Sequence, residues 1–471
     1  MASTAQYIQA FADVPFSEMP FNEADNFALC QAFYMPIEKA ADTRGGKTVL
    51  FSEIARRAFA QRGYKHRRVG LVLSKEISYR LMEMADTKRF GNILVTDCVD
   101  VFSTRPAVQF DAATFLLDDG TVVIVFRGTD DSIVGWKEDM DILVRGSIPS
   151  HRLAVDYLDR AASRHPGEIV ICGHSKGGNV ALYAALHCKK ETRDRIRTLY
   201  NNEGPGFADD HHYSTEAYKE LLPRYRHFVP QAAFIGMMLA HDNDYTVIES
   251  GKLLGASQHD LSFWHVNGAK AVYRKRLTPQ GRFYDLFFRK FQTLLPQEKY
   301  EFFDNLANEL LEDVGELYLS GLAANAPVAF RNAKSAWKRL AAEKKAALRE
   351  SLPDMGDVLS DTVKDLSEEA REEFKTLAEE ARENISGTVK ETRENVRTIA
   401  EETLENVRTL REETRENVRS FAEGTQKTVK SFAEGTRETI VGTVKNLTKN
   451  EQDAPEDEME ALPADAAPAT V

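Results

Sequence analysis

The chain of 471 residues has little of several features that would place it in a special class of protein. It has only four cysteines, and none of them forms a CxxC pair, so we expect buried thiols in a reducing compartment and no zinc site. No apolar run approaches the roughly 18 residues of a membrane-spanning helix. The start of the chain has neither a basic region nor an apolar core, so a secretory signal is not expected. These absences predict a cytoplasmic protein.

The chain also lacks any dense cluster of basic residues. It has 61 Lys and Arg against 73 Asp and Glu, which gives a net charge of −12. This balance argues against nucleic acid as a partner. The hydrophobic fraction of 42% is ample for one sizeable core, and the length predicts two or three structural units.

Composition divides the sequence into four segments. Residues 1–275 mix aromatic, β-branched, Gly and Pro residues as a globular domain does, and residues 276–350 have a helical pattern that predicts a cap packed on that domain. Residues 351–450 form a repeat rich in Glu, Arg, Thr and Val. Residues 451–471 are acidic without a basic residue, which predicts disorder.

Within the first segment, short apolar runs alternate with helical stretches, and this pattern predicts a largely parallel α/β sheet. The strands are predicted at 120–126, 168–172, 195–200, 225–229 and 245–249, and the clearest helices at 149–164 and 178–190.

The third segment repeats with a period of 11 residues, most clearly over 391–434. Two sets of apolar residues keep their phase: Val396, Val407, Val418 and Val429, and Ile399, Leu410, Phe421 and Phe432. Eleven residues span about three helical turns, so the pattern predicts a long amphipathic helix. Three interpretations stay open: a helix on a lipid surface, as in the similar repeats of exchangeable apolipoproteins, a right-handed coiled coil, or a solvated stalk held by Glu–Arg pairs.

The most specific motif is Gly-x-Ser-x-Gly at 173–177, between a short apolar strand and a helical run. Its glycines leave room for a sharp strand-to-helix turn that projects the hydroxyl of Ser175. The backbone N–H of Lys176, at the start of the helix, then points at a developing oxyanion. A second feature follows an earlier strand, where Gly128-Thr129 supplies another oxyanion donor. Loops at the carboxyl ends of parallel strands meet at one edge of a sheet, so both features belong to one site.

These motifs resemble a known family. Phe126-Arg127-Gly128-Thr129, then Trp136 and Asp139, then Gly173-His174-Ser175-Lys176-Gly177-Gly178 are similar to the FRGT, W and D, and GHSLGG pattern of class 3 (fungal-type) lipases. Lys176 replaces the usual Leu and, with the segments GHSKGGN at 173–179, GPGF at 204–207 and QHD at 258–260, resembles a bacterial branch of lipase-like α/β-hydrolases.

The resemblance covers roughly residues 25–275. It implies an α/β-hydrolase fold, a mostly parallel sheet with flanking helices, followed here by the helical cap and the long repeat helix. It also implies a serine hydrolase that acts on acyl esters, including those of lipids, with no metal and no organic cofactor.

A serine nucleophile needs an adjacent base, and in α/β-hydrolases the chain order is Ser, acid, His. His259 is the first choice for the base. It follows the last predicted strand by a loop that returns over the turn of Ser175, and it lies in the QHD segment. His265 is the fallback.

The acid is less obvious. Class 3 lipases place an Asp two residues before a Val-Pro pair, and His227 stands at that place here. Asp242 and Asp244 are nearby but precede the last strand, at the far end of the sheet. Glu203 ends the preceding strand on the side that faces Ser175, where it can hold one tautomer of His259. We rank Glu203 first, with Asp244 and Asp242 as alternatives.

The sequence therefore predicts a cytoplasmic esterase or lipase with Ser175, His259 and Glu203 as catalytic residues and with Thr129 and Lys176 as oxyanion donors. The alternative is a catalytically silent hydrolase fold that serves as a lipid-surface or coiled-coil interaction module, favoured by the missing Asp and the long repeat. In either case residues 351–450 are the expected contact with a peripheral membrane or lipid surface, or with a second copy of the chain.

Overall fold

A computed structural model describes residues 2–61, 77–130, 132–242, 244–253 and 255–294, together with 361–362 and 364–365. All of them belong to one compact unit, Met1–Thr376. The predicted 11-residue repeat and the acidic tail lie outside the described residues, as does most of the predicted helical cap. Within the described ranges, no helix combines the length and the apolar character that crossing a bilayer requires.

Two sheets are formed by the described strands. The strands are β1 (Ala2–Ser3), β2 (Val49–Leu50), β3 (Leu94–Thr104), β4 (Ala107–Leu116), β5 (Val122–Phe126), β6 (Ile169–His174), β7 (Ile196–Asn202), β8 (Tyr225–Pro230), β9 (Tyr245–Ile248), β10 (His265–Asn267) and β11 (Lys270–Ala271). The main sheet contains β2 to β9 in chain order, and β1, β10 and β11 form a small antiparallel sheet. Strands β5 to β9 are parallel, and β2 to β4 add an antiparallel edge.

All five predicted strands are present as β5 to β9, with ends shifted by two residues at most. They are detectable because a parallel strand is covered on both faces and so reads as a continuous apolar run. Along β5, for example, Val123 and Val125 belong to one apolar cluster, while Val122 and Ile124 belong to the cluster on the opposite face. The β3–β4 hairpin was not predicted, because β3 alternates exposed and partly buried residues and carries two aspartates.

Helices cover both faces of the sheet. They are α1 (Thr4–Ala10), α2 (Glu23–Ala32), α3 (Glu38–Ala41), α4 (Phe51–Phe59), α5 (Ile77–Ala85), α6 (Lys88–Gly91), α7 (Ile133–Arg145), α8 (Pro149–Arg164), α9 (Lys176–His187), α10 (Lys190–Asp194), α11 (Glu216–Leu221), α12 (Gly255–Gln258) and α13 (Pro279–Leu294). The helix predicted at 149–164 is α8. The helix predicted at 178–190 is α9, which begins two residues earlier, directly after Ser175. The chain is thus an α/β protein with a mostly parallel central sheet and flanking helices.

Helix α13 is the described part of the predicted helical cap, and it packs on the α/β core. The rings of Tyr284 and Phe288 contact that of Phe234, with centroids 5.0 and 5.1 Å apart. Further along the same helix, Lys290 forms an ion pair with Asp365 at 2.6 Å.

Candidate active site

The turn between β6 and α9 holds Ser175 in a strained backbone conformation. Its φ of 57° and ψ of −134° are disfavoured for any residue with a Cβ atom. A Cβ atom on Gly173 would lie 2.0 Å from the carbonyl oxygen of Gly177, so only glycine permits this tight turn. Ser175 is partly exposed, whereas its neighbours His174 and Lys176 are buried. The turn therefore presents the serine hydroxyl at the carboxyl end of β6.

A histidine and a buried carboxylate meet beside this turn. Glu203 directly follows β7, has a φ of 51° and is fully buried. Its Oε2 lies 2.8 Å from Nδ1 of His259, and its Oε1 accepts a hydrogen bond of 3.0 Å from the backbone N–H of Phe234. Since a carboxylate only accepts, Nδ1 of His259 carries the proton and Nε2 is left as the acceptor.

His174, the residue before Ser175, fixes the backbone of His259. The two imidazole rings lie 4.3 Å apart between centroids, and Nε2 of His174 donates to the carbonyl oxygen of His259 over 2.8 Å. The hydroxyl of Tyr34 lies 2.7 Å from Nδ1 of His174 and donates to it. Burial lowers the pKa of His174 well below its ordinary value, so this ring is neutral. A buried chain of two hydrogen bonds thus runs from Tyr34 through His174 to His259.

The Ser175 hydroxyl itself makes no hydrogen bond to His259 in the part of the chain that the structure describes. Catalytic hydrogen bonds are often long without substrate and tighten only when it binds.

Two backbone N–H groups beside Ser175, those of Thr129 and Lys176, are the predicted oxyanion donors. The strand-end turn at Gly128 and the start of α9 are in backbone contact, because a Cβ on Gly128 would lie 2.6 Å from the carbonyl oxygen of His174 and one on Gly177 would lie 2.2 Å from that of Phe126. Among the described residues, the N–H groups of Thr129 and Lys176 donate to no protein acceptor. An unpaired donor at the N-terminus of α9, with a second one in the turn after β5, suits a developing negative charge.

Asp139 of α7 holds the Thr129 turn in place. The hydroxyl of Thr129 donates to Oδ2 of Asp139 over 2.6 Å. Burial raises the pKa of Asp139 to about 6, while the ammonium group of Lys176 acts in the opposite direction. In the sequence Asp139 was only part of the motif that resembles class 3 lipases. The structure shows its contact, a hydrogen bond that holds the Thr129 side chain.

The other candidates for acid and base lie in separate pairs. Asp242 is 3.7 Å from Nδ1 of His227, and Asp244 donates its backbone N–H to Asp242. His265 pairs with Glu249 at 3.2 Å. In the described ranges none of the three alternatives is hydrogen-bonded to His259 or Glu203.

One group of carboxylates has the spacing of metal ligands. Oxygen atoms of Glu38, Asp100 and Asp111 lie within 4.8 Å of one another. The guanidinium group of Arg127 forms ion pairs with Glu38 and with Asp111, to the latter at 2.6 Å. The guanidinium group of Arg127 therefore supplies the positive charge that a metal ion would otherwise bring to this cluster.

Tyr34 had no signal in the sequence. It lies just after α2, and 140 residues separate it from His174. The one sequence signal for these hydrogen bonds was the position of His174 next to Ser175 in the Gly-His-Ser segment.

Comparison with known proteins agrees with this architecture. Residues 84–308, just under half of the chain, match the Mbeg1-like family, which is related to the lipase-like fold and is compatible with a hydrolase. The matched range contains Thr129, Ser175, Glu203 and His259. A search of curated proteins found no match.

Proposed function

We propose that this chain is a serine hydrolase that cleaves carboxyl esters, with Ser175 as nucleophile, His259 as general base and Glu203 as the acid that orients it. The observation that carries the proposal is the 2.8 Å contact between His259 and a fully buried Glu203 at the edge of the sheet where Ser175 is held in its strained turn. Strain and a buried charge both destabilise a fold, so their coincidence at one site favours a catalytic use.

The chemistry follows from the assigned protons. Nε2 of His259 takes the proton of Ser175 as Oγ attacks the acyl carbonyl carbon. The resulting oxyanion accepts hydrogen bonds from the N–H groups of Thr129 and Lys176. The carbon–oxygen bond to the alcohol breaks, and the imidazolium returns its proton to that alcohol. A water molecule then gives a proton to His259 and attacks the acyl carbon of the acyl-enzyme. The bond from that carbon to Oγ breaks, the imidazolium returns its proton to Oγ, and the carboxylic acid leaves.

Glu203 stabilises the charge that appears during these steps. When His259 becomes an imidazolium, the carboxylate at 2.8 Å lies in a buried environment where the attraction is screened less than in water. The second hydrogen bond, from Phe234 to Oε1, keeps the carboxylate aimed at the ring.

The alternative function, a silent hydrolase fold, rested partly on the Asp that is missing before Val229-Pro230. The proposal assigns the acid to Glu203 at the end of β7 instead of β8, and the 2.8 Å contact between Glu203 and His259 supports that assignment. The proposal therefore favours the enzyme, and the silent module becomes an outcome of its test.

The first test is hydrolysis of p-nitrophenyl acetate, butyrate and palmitate by the purified full chain, beside Ser175→Ala. We expect release of p-nitrophenol by the parent and loss of at least about 10³-fold in the variant. Ser163→Ala, at an exposed position of α8, is the matched control and keeps full activity. A fluorophosphonate probe labels the parent and the control but not Ser175→Ala. Absence of both hydrolysis and labelling in the parent would support the silent module.

The choice of lipid esters belongs to the same proposal and rests on the predicted repeat in 351–450. Preference for palmitate over acetate, with a rate that rises when anionic or zwitterionic liposomes are added, would support a lipid surface. Sedimentation of the full chain as a dimer or larger species, without a liposome effect, would support self-association through the repeat.

A further inference from the structure

Lys176 carries a second feature besides its backbone N–H. Its side chain is buried, and each of the three ammonium N–H groups has an acceptor. Nζ lies 2.8 Å from the carbonyl oxygen of Gln109, 2.7 Å from Oε1 of the same residue and 2.9 Å from Oε2 of Glu138. Burial alone would lower the pKa of Lys176, but the carboxylates of Glu138 and Asp139 raise it, so the side chain is charged. The interior of the fold therefore holds a fully satisfied ammonium group directly behind the turn of Ser175.

Glu138 is equally well satisfied. It is fully buried, and its Oε2 also accepts the backbone N–H of Gln109 over 3.1 Å. Its Oε1 accepts the backbone N–H of Ser150 over 3.2 Å and the hydroxyl of the same residue. The ion pair thus connects the start of α9 to β4, to α7 and to the start of α8.

Through α7 this pair reaches the other oxyanion donor. Glu138 binds the side chain of Lys176, and the next residue, Asp139, binds the hydroxyl of Thr129 over 2.6 Å. The two residues that supply the free N–H groups are therefore tied, through their own side chains, to consecutive residues of one helix.

Stability alone does not account for this arrangement. Desolvation of two charges offsets most of their attraction, and apolar residues of similar volume often replace a buried ion pair without loss of stability. The resembling class 3 lipase pattern has Leu at this position. The ion pair adds a fixed orientation of the Lys176 side chain, because three short hydrogen bonds hold its ammonium group in one place. An apolar side chain at this position could adopt several orientations.

We propose that the buried ion pair of Lys176 and Glu138 is a positioning element of the oxyanion hole, which holds the N–H of Lys176 at the distance from the N–H of Thr129 that the transition state requires. This inference rests on the proposed serine hydrolase function. Lys176 then acts twice, once through its backbone and once through its side chain, and Glu138 acts only through Lys176.

A test must separate position from simple stability. Lys176→Met removes the ammonium group and keeps the length of the side chain, Glu138→Gln removes the negative charge and keeps the shape, and the double variant removes both charges. Lys137→Met is the matched control, because Lys137 is also buried in α7 and forms an ion pair with Asp141 at 2.9 Å.

Each variant is measured in three ways: kcat and KM with p-nitrophenyl butyrate, the inhibition constant of a trifluoromethyl ketone that forms a tetrahedral adduct with the serine, and the melting temperature. An oxyanion hole acts on the transition state, so we expect kcat to fall about 10- to 100-fold in both single variants while KM changes little. The affinity for the ketone falls by the same factor. The double variant loses less than the product of the single losses, because the two residues act as a unit. The control keeps its kcat and its ketone affinity.

The outcomes distinguish this inference from the function on which it rests. A parent protein that neither hydrolyses esters nor reacts with a fluorophosphonate overturns both. An active parent with Lys176→Met and Glu138→Gln within twofold of the control in kcat and ketone affinity overturns the positioning role alone. If Lys176→Met does not fold, Glu138→Gln, which keeps the ammonium group and its two contacts to Gln109, decides the matter in the same assays.

Discussion

The backbone N–H of Ser175 donates a hydrogen bond of 3.0 Å to the carbonyl oxygen of Asn202. Asn202 is the residue before Glu203, and its side chain in turn donates to the carbonyl oxygen of Gly173 over 3.0 Å. The two residues with positive φ that matter most to the proposed chemistry are therefore tied at the ends of adjacent parallel strands. Their separation is set by the sheet rather than by flexible loops.

We predict that Glu203→Gln lowers kcat by about 10²- to 10⁴-fold with little change in KM. The amide retains the shape of the side chain but carries no charge to stabilise the imidazolium of His259, and it no longer requires the proton to be on Nδ1. Steady-state hydrolysis of p-nitrophenyl butyrate measures the effect.

Asp242→Asn is the control for that loss. Asp242 is also a buried carboxylate near a histidine, His227, but it lies in a separate pair. We expect this variant to keep kcat within a few fold of the parent. If Asp242→Asn is the inactive variant and Glu203→Gln the active one, the assignment of the acid is wrong.

The chain of hydrogen bonds from Tyr34 to His259 gives a second prediction. Tyr34→Phe removes the donor to Nδ1 of His174, so the buried ring becomes free to adopt the other tautomer and lose its bond to the backbone of His259. One misplaced buried hydrogen bond corresponds to about a 10-fold loss of kcat, with KM unchanged.

Tyr157→Phe tests whether any lost tyrosine hydroxyl has this effect. Tyr157 is buried and bonds Thr114 at 2.8 Å within the apolar cluster on the other face of the sheet. Its variant is expected to lower the melting temperature as much as Tyr34→Phe does and to leave kcat unchanged. Equal losses of kcat in both variants would mean that Tyr34 has only a structural role.

The backbone strain at Ser175 predicts a difference between two inactive variants. Ser175→Gly and Ser175→Ala both lack the hydroxyl, but only alanine keeps a Cβ atom at a φ of 57°. Relief of strain outweighs the extra chain entropy of glycine, so the glycine variant should be more stable by about 1 kcal/mol. Urea unfolding of the two variants measures this difference, and an alanine variant of equal or greater stability would contradict it.

His151 predicts a loss of stability in acid. The ring is buried; Nδ1 accepts the backbone N–H of Ile148 over 3.3 Å, and Nε2 donates to Asn179 over 2.7 Å. Burial lowers the pKa of His151 to about 4. The unfolded chain, with a histidine pKa of about 6.5, binds more protons between these values, so stability is full above about pH 6.5 and falls as the pH drops towards 4.

His151→Gln tests this prediction by urea unfolding at pH 7.5, 6 and 5. The parent should lose about 2 kcal/mol more than the variant between pH 7.5 and pH 5, because about 1.5 pKa units of the shift are realised over that range. The depressed pKa of His174 acts in the same direction in both proteins, so their difference isolates His151. A pH dependence that is identical in the two proteins would refute the assignment.

The parts of the fold that the sequence revealed are local. The parallel strands are apolar runs, and the turn at Ser175 is a glycine-flanked segment between a strand and a helix, so neighbouring residues suffice to recognise them. The position of Glu203 on the side of the sheet that holds Ser175 could be predicted in one topological step, because parallel strands bring their carboxyl ends together. The strand β3 was missed because its half-exposed residues dilute the apolar pattern.

The parts that the sequence concealed depend on distant contacts. Tyr34 reaches His174 from the turn after α2, 140 residues away, and the partner of Lys176 on α7 is 38 residues away. A lysine in a glycine-rich motif looks like a surface residue until the fold shows three acceptors around its ammonium group. The hydrogen-bond partners of buried polar groups are brought together only in the folded structure, so no local sequence pattern predicts them.

The strained serine also has an evolutionary consequence. Substitutions that keep a protein above its stability threshold are mostly tolerated by selection. A lineage that no longer uses the hydroxyl of Ser175 would therefore gain stability by replacing this serine with glycine. Selection for stable folding alone thus disfavours serine at position 175. Loss of the chemistry in a descendant should leave a visible trace, a fourth glycine in a segment that already contains Gly173, Gly177 and Gly178.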